Sequence, residues 1–218
     1  MRLLLFVQEY WVILYKKVTS YFIAFPPASW SKGTKGDVIL IPPFGTNVKF
    51  IFILGEICSE LGYRVHHVPQ LDNNTYLVEK GSKNLEKYIA QNNLQNVVLV
   101  SHSKGGLIAK YCLDFSSVSS QIHRSISVAT PYQGTLWGYF YFFNLHEMIP
   151  GSPLLRKLNN ETKNNHKIVA IFSKLDNHVI PNKNLRLEGA TNIQLDIVGH
   201  TRILDSKELK EELRKILG

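Results

Sequence analysis

The fourteen residues from Val97 to Lys110, Val-Val-Leu-Val-Ser-His-Ser-Lys-Gly-Gly-Leu-Ile-Ala-Lys, constrain this chain more than any other stretch. The short β-branched run predicts a buried strand, and the residues from Lys104 on predict a helix packed by Leu107, Ile108, Tyr111 and Cys112. Between them lies a turn with Ser103 at its apex, Ser101 two residues before and Gly105 two after. A serine on a sharp strand-to-helix turn crowds its neighbours, so only small side chains fit on either side. Such a turn exposes the hydroxyl at a helix N-terminus, where backbone N–H groups and the dipole favour developing negative charge. A plain tight turn with a serine cap leaves the same trace, because Ser and Gly both favour such corners. The rest of the chain has to decide between the two.

At 218 residues the chain is long enough for one domain with a substantial core and no need of disulfides. Its two cysteines, Cys58 and Cys112, sit among apolar residues on predicted helices and read as small buried hydrophobes. No Cys/His spacing suggests zinc, and neither a metal nor a cofactor is expected. The net charge of +8 comes from Lys and Arg scattered along the chain. Nucleic-acid binding wants a dense basic stripe, so the charge points instead to a mild attraction to anionic surfaces, membranes included.

Strands are predicted at Val38–Ile41, Tyr63–Val68, Val97–Val100, Ile122–Ala129, Lys167–Phe172 and Ile193–Val198. Helices are predicted along Phe50–Leu61 with Gly62 as C-terminal cap, along Leu77–Asn92, after the Ser103 turn, and along Asp205–Leu217 with Asp205 as cap. Strands alternating with helices predict an α/β fold, a mostly parallel central sheet with helices on both faces. The expected layout is a single catalytic domain over 29–218, carrying an aromatic insertion at 136–158, preceded by an apolar helical segment over 1–28.

In that leading segment Gln8, Glu9, Lys16 and Lys17 interrupt the apolar residues, leaving no span long enough for a transmembrane helix. The block after Arg2 is too short for an ordinary signal peptide, so a cytoplasmic location is expected, with peripheral contact at the inner membrane surface left open. Wound as a helix, Arg2, Glu9 and Lys16 share one stripe and the remaining surface is apolar and aromatic. Residues 1–25 therefore read either as an interfacial membrane helix or as a helix packed on the domain. The insertion poses a similar choice. Its aromatic block, with Trp137, Phe140 and Phe143 as candidate substrate-binding residues, is either an extra packed helix or a wall over the site.

A serine nucleophile needs a base, and the base needs an orienting carboxylate. His200 follows a strand and a glycine, so it lies at the same sheet edge as Ser103, with His146 and His178 as alternatives. Asp176 follows another strand by a few residues and is preferred to Asp196 on a strand, Asp114 on a helix and the capping Asp205. For the oxyanion, one donor is the backbone N–H of Lys104 and the other comes from the loop after the first strand. Pro42 and Pro43 have no N–H, which leaves Phe44, or Gly45 beyond it.

With these pieces in order the chain resembles the α/β-hydrolase family, and within it the small bacterial lipases and lipase-like esterases. The resemblance spans residues 37–218 and rests on Val-Ser-His-Ser-Lys-Gly-Gly-Leu at the turn, Ala-Thr-Pro-Tyr-Gln-Gly-Thr at 129–135, and Pro-Gly-Ser-Pro-Leu-Leu from Pro150. It also rests on Leu-Asp-Asn-His-Val-Ile-Pro at 175–181 and Val-Gly-His at 198–200. Ser101 stands where the family commonly has glycine, and Pro42-Pro43 where a His-Gly usually precedes the oxyanion donor. The resemblance implies a serine hydrolase of carboxylic esters, lipid esters foremost, with Ser103, Asp176 and His200 in that chain order. An acyltransferase or thioesterase with the same triad, or a non-catalytic membrane-surface module on the same scaffold, are the competing expectations.

Overall fold

The computed structural model describes residues 9–16, 18, 25–139 and 144–218. One sheet of six parallel strands runs through the molecule: β1 (Asp37–Ile41), β2 (Arg64–His66), β3 (Val97–His102), β4 (Ile122–Val128), β5 (Ile168–Leu175) and β6 (Thr191–Val198). Their order across the sheet is β2-β1-β3-β4-β5-β6. The helices are α1 (9–16), α2 (Phe52–Glu60), α3 (Val78–Gln91), α4 (Lys104–Phe115), α5 (Pro153–Asn160) and α6 (Lys207–Leu217).

Successive side chains of a strand point to opposite faces, and here that alternation sorts the core into two layers. Val38 and Leu40 of β1, Val98 and Val100 of β3, and Val169 and Ile171 of β5 pack with α2 and α6. Ile39, Ile41, Val97, Leu99, Ile168 and Ala170 pack with α3, α4 and α5 on the other face. Strands covered on both faces need continuous apolar runs, which is why β1 and β3 read so plainly in the sequence.

Several boundaries differ from expectation. β2 is three residues long, not six, because it lies at the sheet edge and Pro69 opens a 3-10 turn just beyond it. The helix expected from Phe50 opens as a 3-10 turn over Val48–Ile51, capped by the Asn47 side chain, before α2 begins. Gly62 ends α2 at φ +88, as its capping role requires. At the far end the cap of α6 is Ser206, whose Oγ accepts from the Leu209 N–H at 3.1 Å, and not Asp205. Asp205 instead closes a 3-10 turn over Arg202–Asp205 and pairs with Lys16 at 2.8 Å. The insertion holds two 3-10 turns, Leu136–Tyr139 and Leu145–Met148, and most of α5. Both cysteines are buried and free.

Chain order and strand order diverge at one place. From β1 the chain moves outward to β2, then returns to the other side of β1 as β3. In an open parallel sheet the crevice at such a reversal, beyond the strands' C-terminal ends, is where ligands bind. The Ser103 turn leaves β3 at that crevice, with Ile41 of β1 in register with Ser101.

Candidate active site

Ser103 joins β3 to α4 with φ 53 and ψ −125, a conformation that side-chain-bearing residues rarely adopt. Strain of about 1–3 kcal/mol is usual for such a residue, and it persists only where the surroundings enforce it. Here they do. The Ser103 N–H donates to the Val128 carbonyl at 2.8 Å, while its own carbonyl accepts from the Thr130 hydroxyl at 2.9 Å and the Gly106 N–H at 3.0 Å. Gly105 and Gly106 let the first turn of α4 press onto its neighbours: a Cβ at Gly105 would lie 2.5 Å from the Ile41 carbonyl oxygen, and one at Gly106 would overlap Thr130. Ser101 is fully buried on β3, its hydroxyl donating to the Ile126 carbonyl of the neighbouring β4 at 3.4 Å.

Asp176 is the first residue after β5, and His200 the second after β6. The His200 Nδ1–H donates to Asp176 Oδ2 at 2.8 Å, and both residues are buried. The other carboxylate oxygen accepts from the N–H groups of His178 and Val179 at 2.7 and 2.8 Å. Burial alone would raise the Asp176 pKa, but the His200 charge and these hydrogen bonds outweigh it and hold the carboxyl below its usual value. Burial likewise depresses His200, and the Asp176 charge and hydrogen bond overturn that and hold its pKa above the usual 6.5. With Nδ1 committed to Asp176, Nε2 is the nitrogen available for proton transfer.

Ser103 and His200 line one cavity of about 250 Å³, shared with Pro43, Phe44, Trp137 and His178. Of the alternative bases, His146 is exposed on the 3-10 turn Leu145–Met148 and does not line this cavity. His178 does line it, with its ring centroid 4.8 Å from that of His200. Burial, and then the His200 charge, pushes the His178 pKa down to about 4. It meets Asp176 through its backbone, not its ring. Among the alternative acids, Asp196 is exposed and paired with Lys174, and Asp114 is paired with Lys110. Asp176, His178 and His200 also present one metal-ligand type of atom each within 4.8 Å of one another, although two of those residues are joined by the hydrogen bond just described.

The two candidate oxyanion donors come from different elements. Lys104 is the first residue of α4, and Phe44 lies in the turn after β1 and lines the cavity. Of the candidate substrate-binding residues, Trp137 lines the cavity and donates from its indole N–H to the Asn177 carbonyl at 3.3 Å. Phe140 and Phe143 lie outside the described residues.

Four contacts were not legible in the sequence. The Asn177 side chain accepts from the His200 N–H at 3.1 Å, and His102 Nε2 donates to the His200 carbonyl at 3.1 Å. The Lys104 ammonium is buried, donates to the carbonyls of Asn74 and Tyr76, and sits 5.5 Å from the centre of the Phe44 ring. Burial brings its pKa down to about 8. Finally, Glu9 of α1 is buried against the His200 loop. Each depends on a partner 23 or more residues away, so no local pattern announces it.

No protein-family model matches this chain, and no curated protein matches it. Solved structures do. The mature form of Bacillus licheniformis lipase BlEst2 superposes with a TM-score of 0.67 at 16% identity, covering 89% of this chain and 95% of its own. The monoacylglycerol lipase of Paleococcus ferrophilus gives 0.63 at 14% identity, over 86% and 94% of the two chains. A bromoperoxidase from Bacillus anthracis gives 0.65 at 14% identity, over 85% and 92%. The chain thus has the α/β-hydrolase fold, and its six-stranded parallel sheet with helices on both faces matches these neighbours. A fold that holds both lipases and a bromoperoxidase leaves the chemistry to the site.

Proposed function

We propose that this protein is a serine hydrolase of carboxylic esters, with lipid esters as its preferred class. The observation that carries the proposal is the cavity shared by Ser103, on its strained turn, and His200, hydrogen-bonded to a buried Asp176. In this reading His200 Nε2 takes the Ser103 proton as Oγ attacks the ester carbonyl. The tetrahedral oxyanion is held by the N–H groups of Lys104 and Phe44. His200 then gives the proton to the departing alkoxide, leaving an acyl-enzyme that water hydrolyses by the same steps. Asp176 fixes the tautomer and stabilises the imidazolium.

Preference for lipid is supported by the wall of the cavity, where Ile13, Phe50, Trp137, Leu145, Met148 and Val179 supply apolar surface. It is also supported by α1, whose outward residues Tyr10, Trp11, Leu14 and Tyr15 are each more than half exposed. A basic chain with such a face is suited to peripheral contact with an anionic lipid surface, which completes the proposal. Among the described residues no helix is long and apolar enough to cross a membrane.

The test is a fluorophosphonate probe together with a ladder of ester chain lengths. Wild type labels at Ser103 and turns over esters with a rate that rises with acyl length. Ser103→Ala loses labelling, and its turnover falls by about 10⁶-fold. Labelling that survives in Ser103→Ala removes the nucleophile, and turnover of acyl-CoA with an alcohol acceptor in place of water redirects the same site to acyl transfer.

A further inference from the structure

We infer that Glu9 is a positioning residue for His200, so that the N-terminal helix is a working part of the site. The inference rests on the hydrolase reading above. Glu9 and Lys16 share a stripe of α1, and that stripe faces the domain: Glu9 is fully buried and Lys16 reaches Asp205. The aromatic residues face outward. An amphipathic helix that only packed on a core would do the opposite.

What Glu9 meets explains the reversal. One carboxylate oxygen accepts from the Thr201 N–H and the other from the Arg202 N–H, the two residues directly after His200. These N–H groups open the 3-10 turn Arg202–Asp205 and have no acceptor within it. A buried carboxylate is costly unless it is hydrogen-bonded, and consecutive backbone N–H groups form a fitting anion cradle. Gly199 completes the cradle. It sits at φ +120, and a Cβ there would overlap the Glu9 carboxylate.

His200 is thus held on every side: Nδ1 by Asp176, N–H by Asn177, carbonyl by His102, and the following N–H by Glu9. Glu9 is the one of these that comes from the N-terminal helix. The same helix puts Ile13 into the cavity wall and the Tyr10 ring 6.1 Å from the ring of His178. The titratable groups that face His200 are Asp176, His178, His102 and Glu9. Removing the Glu9 charge therefore favours neutral imidazole, while removing its hydrogen bonds loosens the loop that carries it.

The experiment uses the full chain and a short soluble ester, p-nitrophenyl butyrate, with kcat and KM measured across the acid limb. Variants are Glu9→Gln, Glu9→Ala, Ser103→Ala and Lys16→Met, the last cutting the outer tether of the same helix. Glu9→Gln is expected to lower kcat by up to about 100-fold, the scale of a ~1 Å misplacement, with KM unchanged. Its acid limb moves to lower pH, whereas Lys16→Met keeps the wild-type limb. Acetate restores part of the Glu9→Ala rate by filling the vacated cradle, which also serves should Glu9→Gln fold poorly by thermal melting. A Glu9→Gln enzyme with wild-type kcat and acid limb overturns the inference, as does an equal loss in Lys16→Met with no pH shift. If Ser103→Ala keeps wild-type turnover, the hydrolase reading falls instead, which separates the two failures.

Discussion

The Ser103 turn shows how much a single residue can be made to carry. Its φ of 53 is enforced by three hydrogen bonds, so the strain belongs to the site and not to the serine hydroxyl. Glycine tolerates positive φ without that strain, whereas alanine does not. Ser103→Gly is therefore expected to be about 1 kcal/mol more stable than Ser103→Ala by urea titration, although neither hydrolyses ester. A second expectation concerns pH. In the proposed mechanism the base must be neutral to accept a proton, and Asp176 holds His200 above 6.5 against the pull of burial. The kcat/KM of the wild type should fall as pH drops through a value above 6.5. Asp176→Asn should move that limb downward and lower kcat by about 10⁴-fold, since the tautomer is no longer set. An unshifted limb in that variant would mean another group titrates.

At the scale of elements, α4 has a second buried cation whose presence its sequence hides. Lys110 lies on the helix that leaves the Ser103 turn, and its ammonium meets Asp114 at 2.8 Å and Asn165 Oδ1 at 2.5 Å, out of contact with solvent. This ties α4 to the loop that leads from α5 into β5. Removing one partner of a buried pair strands the other's charge, at a cost of about 3–5 kcal/mol. Lys110→Met is expected to lose that much stability in a denaturant titration, with the joint Lys110→Met, Asp114→Leu variant recovering most of it. Helical spacing alone places apolar residues on α4 correctly, including Leu107, Ile108, Tyr111 and Cys112. It says nothing of Lys104 or Lys110, because a lysine is normally read as a solvated face and becomes core only when remote acceptors reach it.

Across the whole molecule, α1 links the site to the outside. Its inner stripe holds the His200 loop and its outer face presents Trp11 and Tyr15, 67% and 69% exposed. Liposomes rich in anionic lipid should co-sediment with the wild type and lose much of it when Trp11 and Leu14 are both changed to Ser. Equal sedimentation of that variant would place the lipid contact elsewhere. What the sequence determined by itself was local: a strand–turn–helix with a serine apex flanked by small residues, the alternating buried strands, and histidine and aspartate on loops following strands. These follow from periodicity and turn chemistry, which act over a few neighbouring residues. The hydrogen bond that joins His200 to Asp176, and the inward turn of Glu9, emerge only from the tertiary structure. Sheet order and register set which distant loops meet, and a charged group's burial is stable only when those loops bring it hydrogen-bond partners.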